Sequence, residues 1–221
     1  MSSAPKIALI SAVTAAIGPA QDALAAAFPQ AQVWNLLDDR LLSDADARGG
    51  LDADLRSRMN GLIGYALAGG ADGVLLTCSL YGPVAQAFAA DLPVLAPDEA
   101  AFADLAEAGH RRILVVASFA AAKDDSAARL RDALGADGAE VTGIAVPEAM
   151  AATKAGDAEG LVTALIGACR PLAAEVDAVF LAQYSLAPAG DRLQEALGVP
   201  VVSGPASSAA ALRRSIAPEP S

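Results

Sequence analysis

The chain has 221 residues, 54% of them hydrophobic but only 4% aromatic, enough for one large domain or two small ones packed through small side chains. With 15 Lys and Arg against 26 Asp and Glu, the net charge is −11, which disfavours nucleic acid and anionic membranes as partners. Two cysteines are too few for a disulfide framework and one histidine too few for a His-based metal cluster, so reduced thiols, no metal and a cytoplasmic location are expected.

Strand-like apolar runs alternate with helix-length segments. Lys6–Ile10 reads as a strand. The apolar run to Val13 and the Ala23-Leu24-Ala25 triplet also suit a signal peptide, but a strand followed by a helix is the preferred reading. The spacing then predicts a helix over Gln21–Phe28, a strand over Gln32–Leu36, a helix over Asp52–Ala68, a strand over Gly73–Leu76, a helix over Pro83–Ala90, a strand over Pro93–Leu95 and a helix over Glu99–Ala108. The order then repeats. Strands are expected at Arg112–Val116, Glu140–Ile144, Ala178–Leu181 and Pro200–Val202. Helices are expected at Ser126–Leu134, Glu159–Ala174, Asp191–Leu197 and Ser207–Arg214. Wholly apolar strands between helices indicate an α/β protein with parallel sheets covered on both faces. No apolar run reaches the roughly 18 residues of a membrane span.

An internal repeat supports this order. Ala71–Ser79 aligns with Val176–Tyr184 at an offset of 105, Lys6–Ile10 with Arg112–Val116 at 106, and Leu92-Pro93-Val94 with Val199-Pro200-Val201 at 107. Two pseudo-symmetric lobes are expected, residues 1–97 plus 203–221 and residues 98–202, facing each other across a cleft. Ligands of parallel α/β sheets sit beyond the carboxyl ends of strands. Those ends hold Ser11 to Thr14, Thr77-Cys78-Ser79, Ala117-Ser118-Phe119 and Gln183-Tyr184-Ser185.

Cys78 follows an apolar strand and has a hydroxyl residue on each side. A thiol there suits a base or nucleophile; the alternative is a small buried hydrophobe. Cys169 has helical apolar spacing and reads as core. Pro205–Ser208 opens the last helix as a cap or an anion site. His110 follows Gly109 in a solvated turn. Lys123–Ser126 lacks an apolar pattern and reads as a loop plus N-cap, or a flap. Neither glycine-rich phosphate pattern is met, and there is no Gly-x-Ser-x-Gly elbow.

The duplicated halves resemble the aspartate/glutamate/hydantoin racemase superfamily. Leu75-Leu76-Thr77-Cys78-Ser79, Val115-Val116-Ala117-Ser118-Phe119 and Gly198-Val199-Pro200-Val201-Val202 carry the resemblance. It implies two Rossmann-like lobes, no cofactor, a small carboxylate substrate and one catalytic cysteine from each lobe. The repeat puts Gln183 where the second cysteine would stand, and an amide does not exchange a proton as a thiol does. The resemblance then implies a racemase-like branch using Cys78 alone, with Gln183 and Tyr184 as the remaining catalytic candidates. Ser11, Thr14, Thr77, Ser79, Ser118 and Ser185 are the substrate-binding candidates. The expected activity is a cofactor-independent isomerisation or racemisation. The alternatives are a cofactor-free decarboxylase or lyase and a non-catalytic anion-binding protein. Homo-oligomerisation is left open.

Overall fold

The computed structural model describes residues 4–136 and 138–217. The chain forms two compact units. One runs to Glu99 and resumes at Ser208; the other is Ala100–Ser207.

In the first unit the strands are β1 (Lys6–Ser11), β2 (Gln32–Leu37), β3 (Gly73–Leu76) and β4 (Val94–Leu95), all parallel, in the order β2-β1-β3-β4. In the second they are β5 (Arg112–Ala117), β6 (Glu140–Ala145), β7 (Ala178–Leu181) and β8 (Val201–Ser203), again parallel, in the order β6-β5-β7-β8. The central strands are buried on both faces. Every residue of β3 and β7 is buried, and only the first residue of β1 and β5 is exposed. Short runs of Ile, Leu and Val with no polar face have no other stable place than between two layers of helix.

The repeat extends to single hydrogen bonds. Asp72 accepts the Lys6 N–H at 2.7 Å, and Asp177 accepts the Arg112 N–H at 3.1 Å. The Thr77 N–H donates to the Ile10 carbonyl at 3.0 Å, and the Ala182 N–H to the Val116 carbonyl at 2.9 Å. The same carboxylate at the same turn thus sets the strand register twice.

The helices are α1 (Ile17–Ala27), α2 (Leu41–Arg48), α3 (Ala53–Ala68), α4 (Gly82–Ala87), α5 (Glu99–Glu107), α6 (Ala120–Leu134), α7 (Pro147–Ala155), α8 (Ala158–Cys169), α9 (Gly190–Leu197) and α10 (Gly204–Ile216). Asp52 caps α3 by accepting the Leu55 N–H at 2.9 Å, and Asp157 caps α8 through the Gly160 N–H at 2.8 Å. Helix α8 ends where Pro171 begins to interfere, and Arg170–Glu175 continues as a 3-10 turn rather than as α-helix to Ala174.

Three expectations are corrected. Lys123–Ser126 is not a loop or flap but the interior of α6. Its polar residues are held by neighbours, Arg129 to Asp125 at 2.9 Å and Lys123 to Asp124 at 2.7 Å. The Lys123 stem lies so close to β6 that a Cβ on Gly143 would meet its Cγ at 2.9 Å. Second, α2 and α7 were absent from the expected elements. Helix α2 buries only Leu41 and Ala45 and has no apolar stripe to announce it. Third, the last helix begins at Gly204 rather than at Ser207, so Pro205–Ser208 lies in its opening turns, and the Ser208 hydroxyl donates to the Pro97 carbonyl at 3.2 Å.

Candidate active site

At the carboxyl end of β3, Cys78 has an extended backbone (φ −118°, ψ 116°) and precedes a 3-10 turn, Ser79–Tyr81. Its carbonyl accepts the Tyr81 N–H at 3.0 Å. The half-buried thiol stands at the edge of the first core. Ser11 and Thr77 come together behind it. Thr77 Oγ1 donates to Ser11 Oγ at 2.9 Å, and both residues are sealed, at 1% and 4% exposure. This hydroxyl pair ties the ends of β1 and β3 together. Ser79 is half-buried at the start of the turn, and Thr14 is exposed on the 3-10 turn Thr14–Ala16.

Tyr81 was not among the candidates. It is fully buried, and its hydroxyl donates to the Leu41 carbonyl at 2.9 Å, joining the turn after Cys78 to the start of α2. Burial pushes its hydroxyl up to about 12; the negative charge of the Cys78 thiolate adds to this, as do Asp38 and Asp44, while Arg58 opposes. The sequence held one signal: the repeat aligns Tyr81 with Leu186, so a hydroxyl stands where the other half has a plain hydrocarbon. Arg58 braces the same region, 2.6 Å from Asp38 and 2.8 Å from Asp44.

The carboxyl end of β7 has the same backbone with different chemistry. Gln183 is extended (φ −141°, ψ 139°), precedes the 3-10 turn Tyr184–Ala189, and accepts the Leu186 N–H at 3.0 Å through its carbonyl. Its side-chain Oε1 accepts the Ser118 N–H at 2.6 Å. Ser118 and Tyr184 are buried at 3% exposure each, and Ser185 is half-buried. Where the first unit has the Ser11–Thr77 pair, the second has Ala117 and Ala182, both buried. The two strand ends are alike in trace and unlike in function-bearing atoms: a thiol over a hydroxyl pair in one, a tethered amide over two methyls in the other.

Cys169 ends α8 in the second unit's core, where burial raises its thiol to about 11. A cavity of about 250 Å³ in the same unit is lined by Arg112 and Leu114 of β5, by β6 from Glu140 to Ile144, and by Leu172 and Val176; none of Ser118, Gln183, Tyr184 or Ser185 lines it. Trp34 pairs in register with Ala8 on β1 and packs on Tyr65, ring centroids 5.5 Å apart; the matching residue beside Leu114 is the smaller Thr142. Among the described residues no group of three or more His, Cys, Asp or Glu is arranged to hold a metal, and no helix is long and apolar enough to cross a membrane.

A duplicated pair of four-stranded parallel sheets, with a thiol at one central strand end, defines an α/β protein of the racemase type. The chain belongs to the Asp/Glu/Hydantoin racemase family, whose pattern it matches over residues 20–212. No curated protein matches the sequence. Among solved structures, an aspartate racemase from Picrophilus torridus is similar with a TM-score of 0.75 and 14% identity, over 96% of this chain and 94% of that one. An allantoin racemase from Klebsiella pneumoniae has a TM-score of 0.69 and 17% identity, over 95% and 86%. A glycine-to-cysteine mutant of arylmalonate decarboxylase, in a sulfate-associated form, has a TM-score of 0.59 and 22% identity, over 94% and 93%. These likenesses establish the fold.

Proposed function

We propose that the chain is a cofactor-independent isomerase or racemase-like enzyme acting on a small carboxylate, an amino acid or related acid, with Cys78 as its single catalytic thiol. The observation that supports this reading most is the asymmetry of the two strand ends, an accessible thiol at Cys78 and a hydrogen-bonded amide at Gln183. In the proposed step the Cys78 thiolate takes the proton from the carbon next to the carboxylate. The S–H bond forms and the C–H electron pair passes into an enediolate; a water on the opposite face then protonates the carbon, and the hydroxide it leaves takes the proton back from the Cys78 thiol, which inverts the centre and restores the thiolate. Ser79 and the backbone N–H groups of its turn offer donors for the developing oxyanion. Ser11 and Thr77 act from behind by holding the strand ends. In the first unit Thr14 is exposed beyond the end of β1; in the second, Ser118, Tyr184 and Ser185 follow the ends of β5 and β7.

The test is deuterium uptake from solvent at the α-carbon across amino, hydroxy and malonate-type acids. Cys78→Ala is expected to lower the exchange by about 10²–10⁴-fold. Exchange with no acid, or exchange that survives Cys78→Ala, overturns the reading.

The tether on Gln183 favours a second reading, a cofactor-free decarboxylase. Loss of carbon dioxide from a disubstituted malonate leaves its electron pair on carbon as an enediolate, and one thiol on one face is enough to protonate it. The expected outcome is a product of one hand. A racemic product from the wild type, with Gln183→Cys no different, rejects it.

A further inference from the structure

We propose that the second unit carries a binding site for a planar aromatic amine of about indole size, in the cavity formed by β5, β6 and the 3-10 turn Arg170–Glu175. The site lies within one unit and shares no residue with the strand ends of the proposed function. Neither reading depends on the other.

The internal repeat shows what this part of the fold packs on its sheet. In the first unit Trp34 stands on β2 beside Ala8. Its ring packs on Tyr65, and a Cβ on Gly69 would meet its Cη2 at 2.6 Å, so the indole lies directly on the end of α3. In the second unit the same register sets Thr142 beside Leu114. Leu114 is buried at 1% exposure and forms a floor, while the short Thr142 leaves the place of the ring open. Helix α8 ends at Cys169, and the turn that follows brings Leu172 and Glu175 to the cavity wall in place of a further helical turn. Val176, also buried, completes the apolar lining. The volume is about 250 Å³. A dry apolar cavity of about 150 Å³ is enough for benzene, so the space here suits a two-ring system.

The rim sets the charge of the ligand. Arg112, Glu140 and Glu175 line the opening. Arg112 is already committed, its Nη2 lying 2.7 Å from Asp177 Oδ1. These groups together hold one positive and three negative charges, a field that attracts a cation and repels a carboxylate. An apolar floor under an acidic rim takes an uncharged ring below and an ammonium above. Both glutamates are exposed, so the attraction is moderate and weakens with salt.

The test titrates the full chain with tryptamine, indole and indole-3-acetate in calorimetry, with amide chemical shifts to locate the ligand. Tryptamine is expected to bind about fivefold more tightly than indole, and indole-3-acetate more weakly than either. The shifts should fall on residues 112–114, 140–144 and 172–176. Thr142→Trp places the chain's own indole in the cavity and should lower tryptamine affinity more than tenfold while raising the urea midpoint. The double variant Glu140→Gln, Glu175→Gln leaves the floor intact and tests the rim even if the tryptophan is not accommodated. It should bring tryptamine down to the affinity of indole and leave indole unchanged. No binding of tryptamine at millimolar concentration overturns the proposal, as do shifts confined to other residues. Indole-3-acetate binding as tightly as tryptamine, or a double variant that keeps the preference for tryptamine, also overturns it.

Discussion

Tyr81 and Cys169 are ionisable groups kept neutral in the folded protein, one raised to about 12 and the other to about 11. Both have folded values above their ordinary ones of 10.0 and 9.0, so the fold binds their protons more tightly than the unfolded chain does. The stability they contribute is complete below about pH 9 and is lost as pH rises, across pH 9–11 for Cys169 and 10–12 for Tyr81. Each is worth up to about 3 kcal/mol. Urea midpoints measured from pH 8 to 12 should therefore fall, with Cys169→Ala flattening the lower part of the decline and Tyr81→Phe the upper. An unchanged slope in both variants would refute the assignment. At neutral pH, Tyr81→Phe strands the Leu41 carbonyl and should cost about 1–2 kcal/mol. The two thiols should separate as cleanly by reagent. In the native protein one equivalent, Cys78, should react with a disulfide reagent, and the second only after denaturant is added.

At the scale of elements, α2 adds ion pairs to a small core contribution from Leu41 and Ala45. Arg58 reaches Asp38 and Asp44, and Arg40 pairs with Asp44 at 3.1 Å. The hydrogen bond from Arg40, with Arg58 adding to it, holds the Asp44 carboxyl below its usual range. That support is present above the ordinary carboxylate range and is lost on acidification. Arg58→Ala should speed amide exchange in residues 41–48 by roughly tenfold while leaving β1 and β3 protected. Equal acceleration in the strands would show that the ion pairs hold the whole unit. The contrast explains what could be read in advance. Strands β1, β3, β5 and β7 are buried on both faces, and their apolar runs state it directly. Helix α2 and the first half of α6 are stabilised by ion pairs and by lysine stems, which leave no period in the sequence. The site divides in the same way. Cys78 was legible as a thiol at a strand end, and Gln183 as its counterpart by alignment. The Ser118 tether was not, because its donor is a main-chain N–H 65 residues away, which side-chain patterns do not encode. Nor was the Tyr81 contact, whose acceptor is the carbonyl of a helix that went unread.

At the scale of the molecule, the last helix returns to the first unit. Leu212 is fully buried, and a Cβ on Gly73 in β3 would meet its Cδ2 at 3.1 Å and the Ile216 Cδ1 at 2.8 Å. Glycine at 73 is thus what lets α10 lie against the central strand. Leu212→Ala should cost about 2–5 kcal/mol in equilibrium unfolding. Spectroscopic loss should appear first at Trp34, the chain's single tryptophan, which lies in the first unit. A change in unfolding confined to the second unit would contradict this packing. The same connectivity sets an order of events on the ribosome. Residues Ala100–Ser207 form one continuous stretch, whereas the unit begun by β1 lacks a wall until Leu212 has been synthesised. The half that is translated first is therefore the half that is completed last, and it waits with β3 incompletely covered while its later twin is already able to fold.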